Sequence, residues 1–248
     1  MLYFEYSGLQ IYYEKKGEGI PIIFLHGWGC NKEIFSQIIT NLTNKYEVYL
    51  IDLPSFGKSI NTTIDFTIKE LAHMLLSFIE YYNIDYPILV GHSYGGRILL
   101  EYASKYYNYS KLILIDSAGI KRYSLKKQFK IYLYKVKKKY FKLTKQLMKY
   151  EKLVSSSGSI DYKNSSEVQK KMLTHAVNYD QKHLLKDITK ETLLIWGEHD
   201  TKTPLKDAKL MHKQIKNSGL VIIPNSGHFP FIENHEYFMS VFNNYLGV

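Results

Sequence analysis

Residues 87–97 read Pro-Ile-Leu-Val-Gly-His-Ser-Tyr-Gly-Gly-Arg. The run at 87–90 is short, apolar and bounded by turn signals, as expected of a buried strand. Residues 94–107 then carry a helical period. Between the two lies Gly91-His92-Ser93-Tyr94-Gly95-Gly96, a G-x-S-x-G pattern with one further glycine. A serine on so sharp a strand-to-helix turn takes strained backbone angles, and side chains at the flanking positions would collide with the turn. The turn lifts the Ser93 hydroxyl above the carboxyl edge of a sheet, at a helix N-terminus that favours negative charge. Ser93 is therefore the candidate nucleophile. A chance Gly-Ser-Gly turn would need neither the strand before it nor the helix after it.

The same alternation extends in both directions. A hairpin is predicted from strands at 2–6 and 9–15 around Ser7-Gly8. Strands follow at 20–25, 47–51, 87–90 and 111–115, with helices at 31–42, 65–82 and 94–107 between them. Near the other end, strands at 192–196 and 220–223 alternate with helices at 204–215 and 230–245. Near-continuous Ile/Leu/Val strands alternating with helices indicate an α/β protein with a mostly parallel, doubly wound sheet covered on both faces. Residues 119–187 contain no comparable strand. They read as a helical cap inserted into a core formed by 1–118 and 188–248, with the serine-rich 155–159 as a hinge. No internal repeat is found.

A serine hydroxyl needs an adjacent base. In a sheet of this topology the order is serine, acid, histidine. His228 lies in Pro224-Asn225-Ser226-Gly227-His228-Phe229-Pro230, a loop between the last strand and last helix, and is the candidate base. His212 and His235 fall in helical patterns, His175 and His183 in the insertion, and His199 in a short turn. Asp200, closing Trp196-Gly197-Glu198-His199-Asp200, is the preferred acid, and Asp116 after the preceding strand is the alternative. The acid holds the imidazole in the right tautomer and stabilises the imidazolium. Donors for a developing oxyanion are expected from the backbone N–H of Trp28, in His26-Gly27-Trp28-Gly29, and of Tyr94. His26 precedes the serine and reads as a loop brace. Cys30 reads as a small buried residue.

These segments resemble the α/β-hydrolase fold superfamily. The matching residues are His26 to Gly29, Asp52-Leu53-Pro54-Ser55-Phe56-Gly57-Lys58-Ser59, Gly91 to Gly96, Trp196 to Asp200 and Gly227-His228. They occur in family order and span the chain outside the insertion. The resemblance implies a triad of Ser93, Asp200 and His228, an oxyanion hole from Trp28 and Tyr94, and no cofactor and no metal. Two departures stand out. Ser55 replaces the usual glycine, which is expected to alter that loop, and Lys190-Glu191-Thr192 lacks a proline common before the seventh strand. Haloalkane dehalogenases and epoxide hydrolases carry aspartate at the nucleophile position, so Ser93 argues against both. Tyr94 and a basic cap fit proline iminopeptidases poorly. Carboxylesterases, thioesterases, carbon–carbon bond hydrolases and acyl-carrier methyl esterases remain.

Composition narrows the partners. The chain has 248 residues, 45% hydrophobic and 23% charged, with one cysteine, so no intramolecular disulfide or Cys-rich zinc site can form. The net charge is +10, but it is local. Residues 121–152 hold 13 Lys/Arg and one acid, while 1–120 are net −3 and 153–248 net +1. Within 125–154 apolar residues recur at Leu125, Phe129, Leu133, Val136, Tyr140 and Leu143, then Leu147, Tyr150 and Val154. This amphipathic stripe is expected to roof the pocket, with lysines on the other faces. The basic face reads as solvated, as a dock for an acidic carrier protein or anionic acyl substrate, or as a membrane-surface helix. No nucleic-acid motif accompanies it. The N-terminus lacks a secretory pattern and no run is long enough to span a bilayer, so a cytoplasmic location is expected. The leading expectation is a serine hydrolase cleaving a carboxylic ester of a small-molecule substrate through an acyl-enzyme. The alternatives are an acyl-carrier-linked esterase or thioesterase, and a non-catalytic ligand-binding member of the fold.

Overall fold

The computed structural model describes residues 2–59, 63–122, 125–156 and 159–248, without the side chains of 125–128 and 155. The Leu125 side chain of the expected stripe, and Ser157-Gly158 of the expected hinge, lie outside the described residues. Strands β1 (Leu2–Tyr6) and β2 (Leu9–Lys16) form the antiparallel hairpin. The turn uses Ser7 and Gly8, both at positive φ. Then come β3 (Ile20–Leu25), β4 (Tyr46–Ile51), β5 (Ile88–His92), β6 (Lys111–Ile115), β7 (Glu191–Gly197) and β8 (Ser218–Ile223). They build one eight-stranded sheet in the order β1-β2-β4-β3-β5-β6-β7-β8. β2 meets β4 antiparallel, and every pairing from β4 to β8 is parallel.

The helices are α1 (Ile68–Tyr81), α2 (Tyr94–Lys105), α3 (Leu125–Leu143), α4 (Leu147–Ser156), α5 (Ile160–Lys163), α6 (Glu167–Asn178), α7 (Leu205–Gln214), α8 (Pro230–Glu233) and α9 (His235–Leu246). Because strand side chains alternate, the sheet feeds two core layers. Ile23 and Leu25 join Leu75, Phe78, Ile98 and Met211 on the face covered by α1, α2 and α7. Ile22 and Phe24 join Phe35, Ile38, Phe238 and Phe242 on the other. Burial on both faces is what the continuous apolar strands require.

Four local expectations shift. The segment 31–42 keeps its apolar period but winds as a 3-10 helix, Lys32–Phe35, followed by turns. Its bonds close largely across three residues, as from Ile38 N–H to Phe35 and from Leu42 N–H to Ile39. The β-branched run Ile38-Ile39-Thr40 weakens a regular α-helix there. The helix expected from 65 begins at Ile68, because Thr67 and Glu70 form a reciprocal capping box. The closing helix is split at Asn234, whose backbone (φ −139°, ψ 65°) is not helical. The stripe over 125–154 is broken by the turn at 144–146, where Lys145 takes φ 54°.

Between β6 and β7 the described residues form helices and no strand. The late part of this segment is tied to the body. Arg97 of α2 donates from Nη1 to the carbonyls of Ala176 (2.5 Å) and Tyr179 (2.7 Å). The Tyr179 hydroxyl donates to Glu101 Oε2 at 2.7 Å. Met172 and Ala176 of α6 enter the core. The early part behaves differently. α3 and α4 lie against each other, with Lys138 5.8 Å from the Tyr150 ring. Phe129, Leu143 and Met148 are 61%, 73% and 86% exposed. The stripe expected to roof a pocket thus faces solvent, because the half-buried face of α3 is the one carrying Tyr134, Lys138 and Phe141.

Candidate active site

Ser93 sits between β5 and α2 at φ 50° and ψ −105°. A non-glycine residue holds such angles only when its surroundings enforce them. Here the Ser93 N–H donates to the Ile115 carbonyl at 3.0 Å, and its own carbonyl accepts from the N–H groups of Ala118 (2.9 Å) and Arg97 (3.1 Å). The flanking glycines are sterically required. A Cβ on Gly91 would lie 2.7 Å from Gly96 N, and one on Gly95 would lie 2.1 Å from the Leu25 carbonyl oxygen.

Three side chains from distant parts of the chain converge. The Ser93 hydroxyl donates to His228 Nε2 at 2.9 Å. His228 Nδ1–H donates to Asp200 Oδ2 at 2.8 Å. Asp200 Oδ1 accepts the N–H groups of Lys202 (2.7 Å) and Thr203 (3.0 Å), and Oδ2 accepts the Thr203 hydroxyl at 2.6 Å. Burial alone would raise the Asp200 pKa, but hydrogen bonds from His228, Asp116 and Thr203 outweigh it and hold the carboxyl well below its usual range. Asp200 is thus a carboxylate that keeps the imidazole oriented.

Asp116, the alternative acid, lies beside this group without bonding His228. Its Oδ1 accepts the Gly197 N–H at 3.0 Å. Burial and the adjacent Asp200 push its pKa well above the ordinary carboxylate value, favouring the neutral acid. Asp116, Asp200 and His228 bring possible ligand atoms within 4.8 Å of one another. These atoms do not suit a cation, since both His228 ring nitrogens are already engaged with Asp200 and Ser93.

Trp28 and Tyr94 flank the serine. Their rings meet edge to face at 5.1 Å. A Cβ on Gly27 would lie 3.3 Å from Ser93 Cβ, so the 26–29 loop runs directly alongside the hydroxyl. Tyr94 opens α2, where a backbone N–H has no intrahelical acceptor. His26 braces this loop. Its Nδ1 donates to the Gly27 carbonyl at 2.8 Å, and its Nε2 accepts the Leu53 N–H at 3.0 Å. Full burial lowers its pKa to about 4, so it is neutral. Ser55 takes a left-handed backbone, at φ 75°, a conformation that favours glycine. Its carbonyl accepts from Gln169 Nε2 at 2.8 Å, tying the loop to α6.

Sequence reasoning missed three supporting residues. His92 Nε2–H donates to the His228 carbonyl at 2.8 Å. Glu233 accepts the N–H groups on either side of His228, from Gly227 (2.6 Å) and Phe229 (2.9 Å). Thr203 supports Asp200 as described above. Only the position of His92 inside the G-x-S-x-G pattern offered a signal. The other two make these bonds to residues only three to six positions away, but as ordinary polar residues they carry no motif.

The sequence profile described as "Alpha/beta hydrolase family" matches residues 22–241. The chain is 28% identical to the uncharacterized hydrolase YugF of Bacillus subtilis (strain 168), covering 91% of this chain and 90% of that one. It is 26% identical to a pimeloyl-[acyl-carrier protein] methyl ester esterase of Legionella pneumophila (strain Paris), covering 96% and 100%. Among solved structures, MGS-M2, an alpha/beta hydrolase enzyme from a deep-sea metagenome library, superposes with a TM-score of 0.78 at 22% identity, covering 100% and 98%. An esterase from Exiguobacterium antarcticum gives 0.76 at 24% identity, covering 98% and 97%.

Proposed function

The chain belongs to the α/β hydrolase family, and from that premise we propose that it is a serine hydrolase cleaving a carboxylic ester through an acyl-enzyme. One observation carries the reading: His228 stands 2.9 Å from the Ser93 hydroxyl and 2.8 Å from Asp200. In this mechanism His228 Nε2 takes the hydroxyl proton as Ser93 Oγ attacks the ester carbonyl. The backbone N–H groups of Trp28 and Tyr94 receive the oxyanion, a type of contact worth about 3–4 kcal/mol per donor. The imidazolium, steadied by Asp200, returns the proton to the departing alcohol. Water then donates a proton to His228 and attacks the acyl-enzyme, releasing the acid and restoring Ser93.

The core of 1–118 and 188–248 supplies this chemistry, and 119–187 acts as the inserted cap. Two contacts favour α5 and α6 as the part beside the site. Gln169 of α6 holds the Ser55 loop. Asp161 of α5 pairs with Lys202 at 3.6 Å, two residues past Asp200. A panel of esters and thioesters of graded chain length tests the function, with Ser93→Ala as the blank. Ester turnover by the parent should exceed the blank by orders of magnitude, and a fluorophosphonate probe should label Ser93. Equal rates in parent and blank would replace catalysis by ligand binding. A narrower reading, favoured by the named activity of the Legionella relative, places the acyl group on a carrier protein. It predicts faster cleavage of a carrier-bound acyl methyl ester than of the same free methyl ester, and equal rates would dismiss it.

A further inference from the structure

The α3–α4 hairpin is anchored at its base and bare along its length. Before α3, Arg122 donates from Nη2 to the Lys202 carbonyl at 2.7 Å and pairs with Asp207 at 3.3 Å. Beyond that point α3 runs 19 residues, roughly 28 Å at the helical rise. Phe129, Val136, Tyr140 and Leu143 recur at helical spacing along one face, and Tyr132 and Leu133 widen it; all are exposed. Leu147 and Met148 extend the apolar surface into the start of α4, at 69% and 86% exposure. A stripe this long and bare would be a solubility liability without a function.

The charges beside it indicate what covers it. α3 contains no acidic residue. By helical geometry Lys130 and Lys137 border the stripe on one side, and Lys135 and Lys139 on the other, all exposed. Lysines along both borders of an apolar stripe can lay their stems on the apolar surface while their ammonium groups reach outward. That is the pattern of a helix lying in the plane of an anionic bilayer surface. An acidic protein would satisfy the lysines but would need a matching apolar ridge. A bilayer offers an apolar interior beneath anionic headgroups at any register. No helix among the described residues is long and apolar enough to cross a membrane, so the hairpin would lie on the surface.

We propose that the α3–α4 hairpin is an interfacial anchor. It inserts the Phe129–Leu143 stripe among the acyl chains of an anionic lipid surface and sets its lysines against the headgroup phosphates. The full chain should sediment with vesicles of equal phosphatidylglycerol and phosphatidylcholine, and not with phosphatidylcholine alone. Lys130→Glu with Lys137→Glu and Lys139→Glu should lower the partition coefficient by about tenfold or more. Phe129→Ser with Leu143→Ser should lower it by about tenfold at unchanged charge. Phe129→Trp should shift its emission to the blue on the anionic vesicles, which reports insertion without relying on a disruptive variant. Ser93→Ala should bind as the parent does, which separates this inference from the hydrolase reading. Turnover of a soluble short ester should stay unchanged in the hairpin variants. The proposal is overturned by no sedimentation at low salt, by no emission shift, or by binding indifferent to the apolar substitutions. Saturable binding of an acidic carrier protein to this face, with no affinity for vesicles, would overturn it equally.

Discussion

α1 and α3 both place apolar side chains three and four residues apart, yet their surroundings are opposite. On α1, Leu71, Leu75, Phe78 and Ile79 are almost fully buried. On α3, Phe129, Val136, Tyr140 and Leu143 are exposed. The difference lies in the rest of each helix and in its neighbours. α1 follows β4 and leads into β5, so it returns onto a sheet whose facing side chains include Phe4, Tyr13 and Tyr49. α3 leaves the body after β6, carries lysines on every other face, and meets α4 through Lys138 over the Tyr150 ring. Periodicity identifies an apolar face. It does not identify what covers that face.

The contrast predicts where substitutions matter. The largest effects belong to the body. Asp200→Asn should lower kcat for an ester about ten-thousandfold, through loss of the correct imidazole tautomer. Asp116→Asn, which mimics the neutral acid, should leave kcat near that of the parent. If the two variants fell equally, Asp116 would share the role assigned to Asp200. Next, Phe78→Ala should cost about 3–5 kcal/mol of stability in a urea titration. A loss below 1 kcal/mol would show that α1 is less committed to the core than its burial indicates.

Acid should act on the body as well. The folded pKa of His26 is about 4, against 6.5 for the free side chain. Its contribution is therefore fully present above pH 6.5 and is lost as pH falls toward 4, because the unfolded chain gains the proton first. The expected decline is on the order of 3 kcal/mol between pH 7 and pH 4. His92, lowered to about 3 by burial and by neighbouring His228, pushes in the same direction. Urea titrations across that range should show the decline, and a flat profile would contradict the buried, neutral brace. The smallest effect is on the hairpin. Leu143→Ala should change stability in solution by no more than about 0.5 kcal/mol. A cost near that of Phe78→Ala would mean that the stripe is covered in solution after all.

Much of the site was legible because its parts are local. Gly91 to Gly96 encode a turn whose collisions at Gly91 and Gly95 are intrinsic to the backbone. His228 lies in the loop after β8, and Trp28 in the loop after β3. Asp200 was preferred over Asp116 from its place in Trp196 to Asp200, but because both follow parallel strands at the same sheet edge, side-chain period alone does not separate them. The choice rests on which carboxylate lies 2.8 Å from His228 Nδ1. His92 was not legible as a support because its partner, the His228 carbonyl, lies 136 residues away, and Glu233 was not because its bonds to Gly227 and Phe229, though local, carry no sequence pattern.

By itself, the sequence determined the alternation of strands and helices, the serine turn, the order of the candidate site residues and the placement of the positive charge in one segment. Each is written in the period of side chains or in backbone constraints spanning a few residues. Tertiary structure decided that the preferred acid, Asp200, meets the base while Asp116 does not, that Ser55 takes a left-handed backbone, and that the stripe of α3 faces outward. These depend on contacts between separate elements, as of Asp200 with His228 and of Ser55 with Gln169, and such contacts are set by how the chain closes around its sheet.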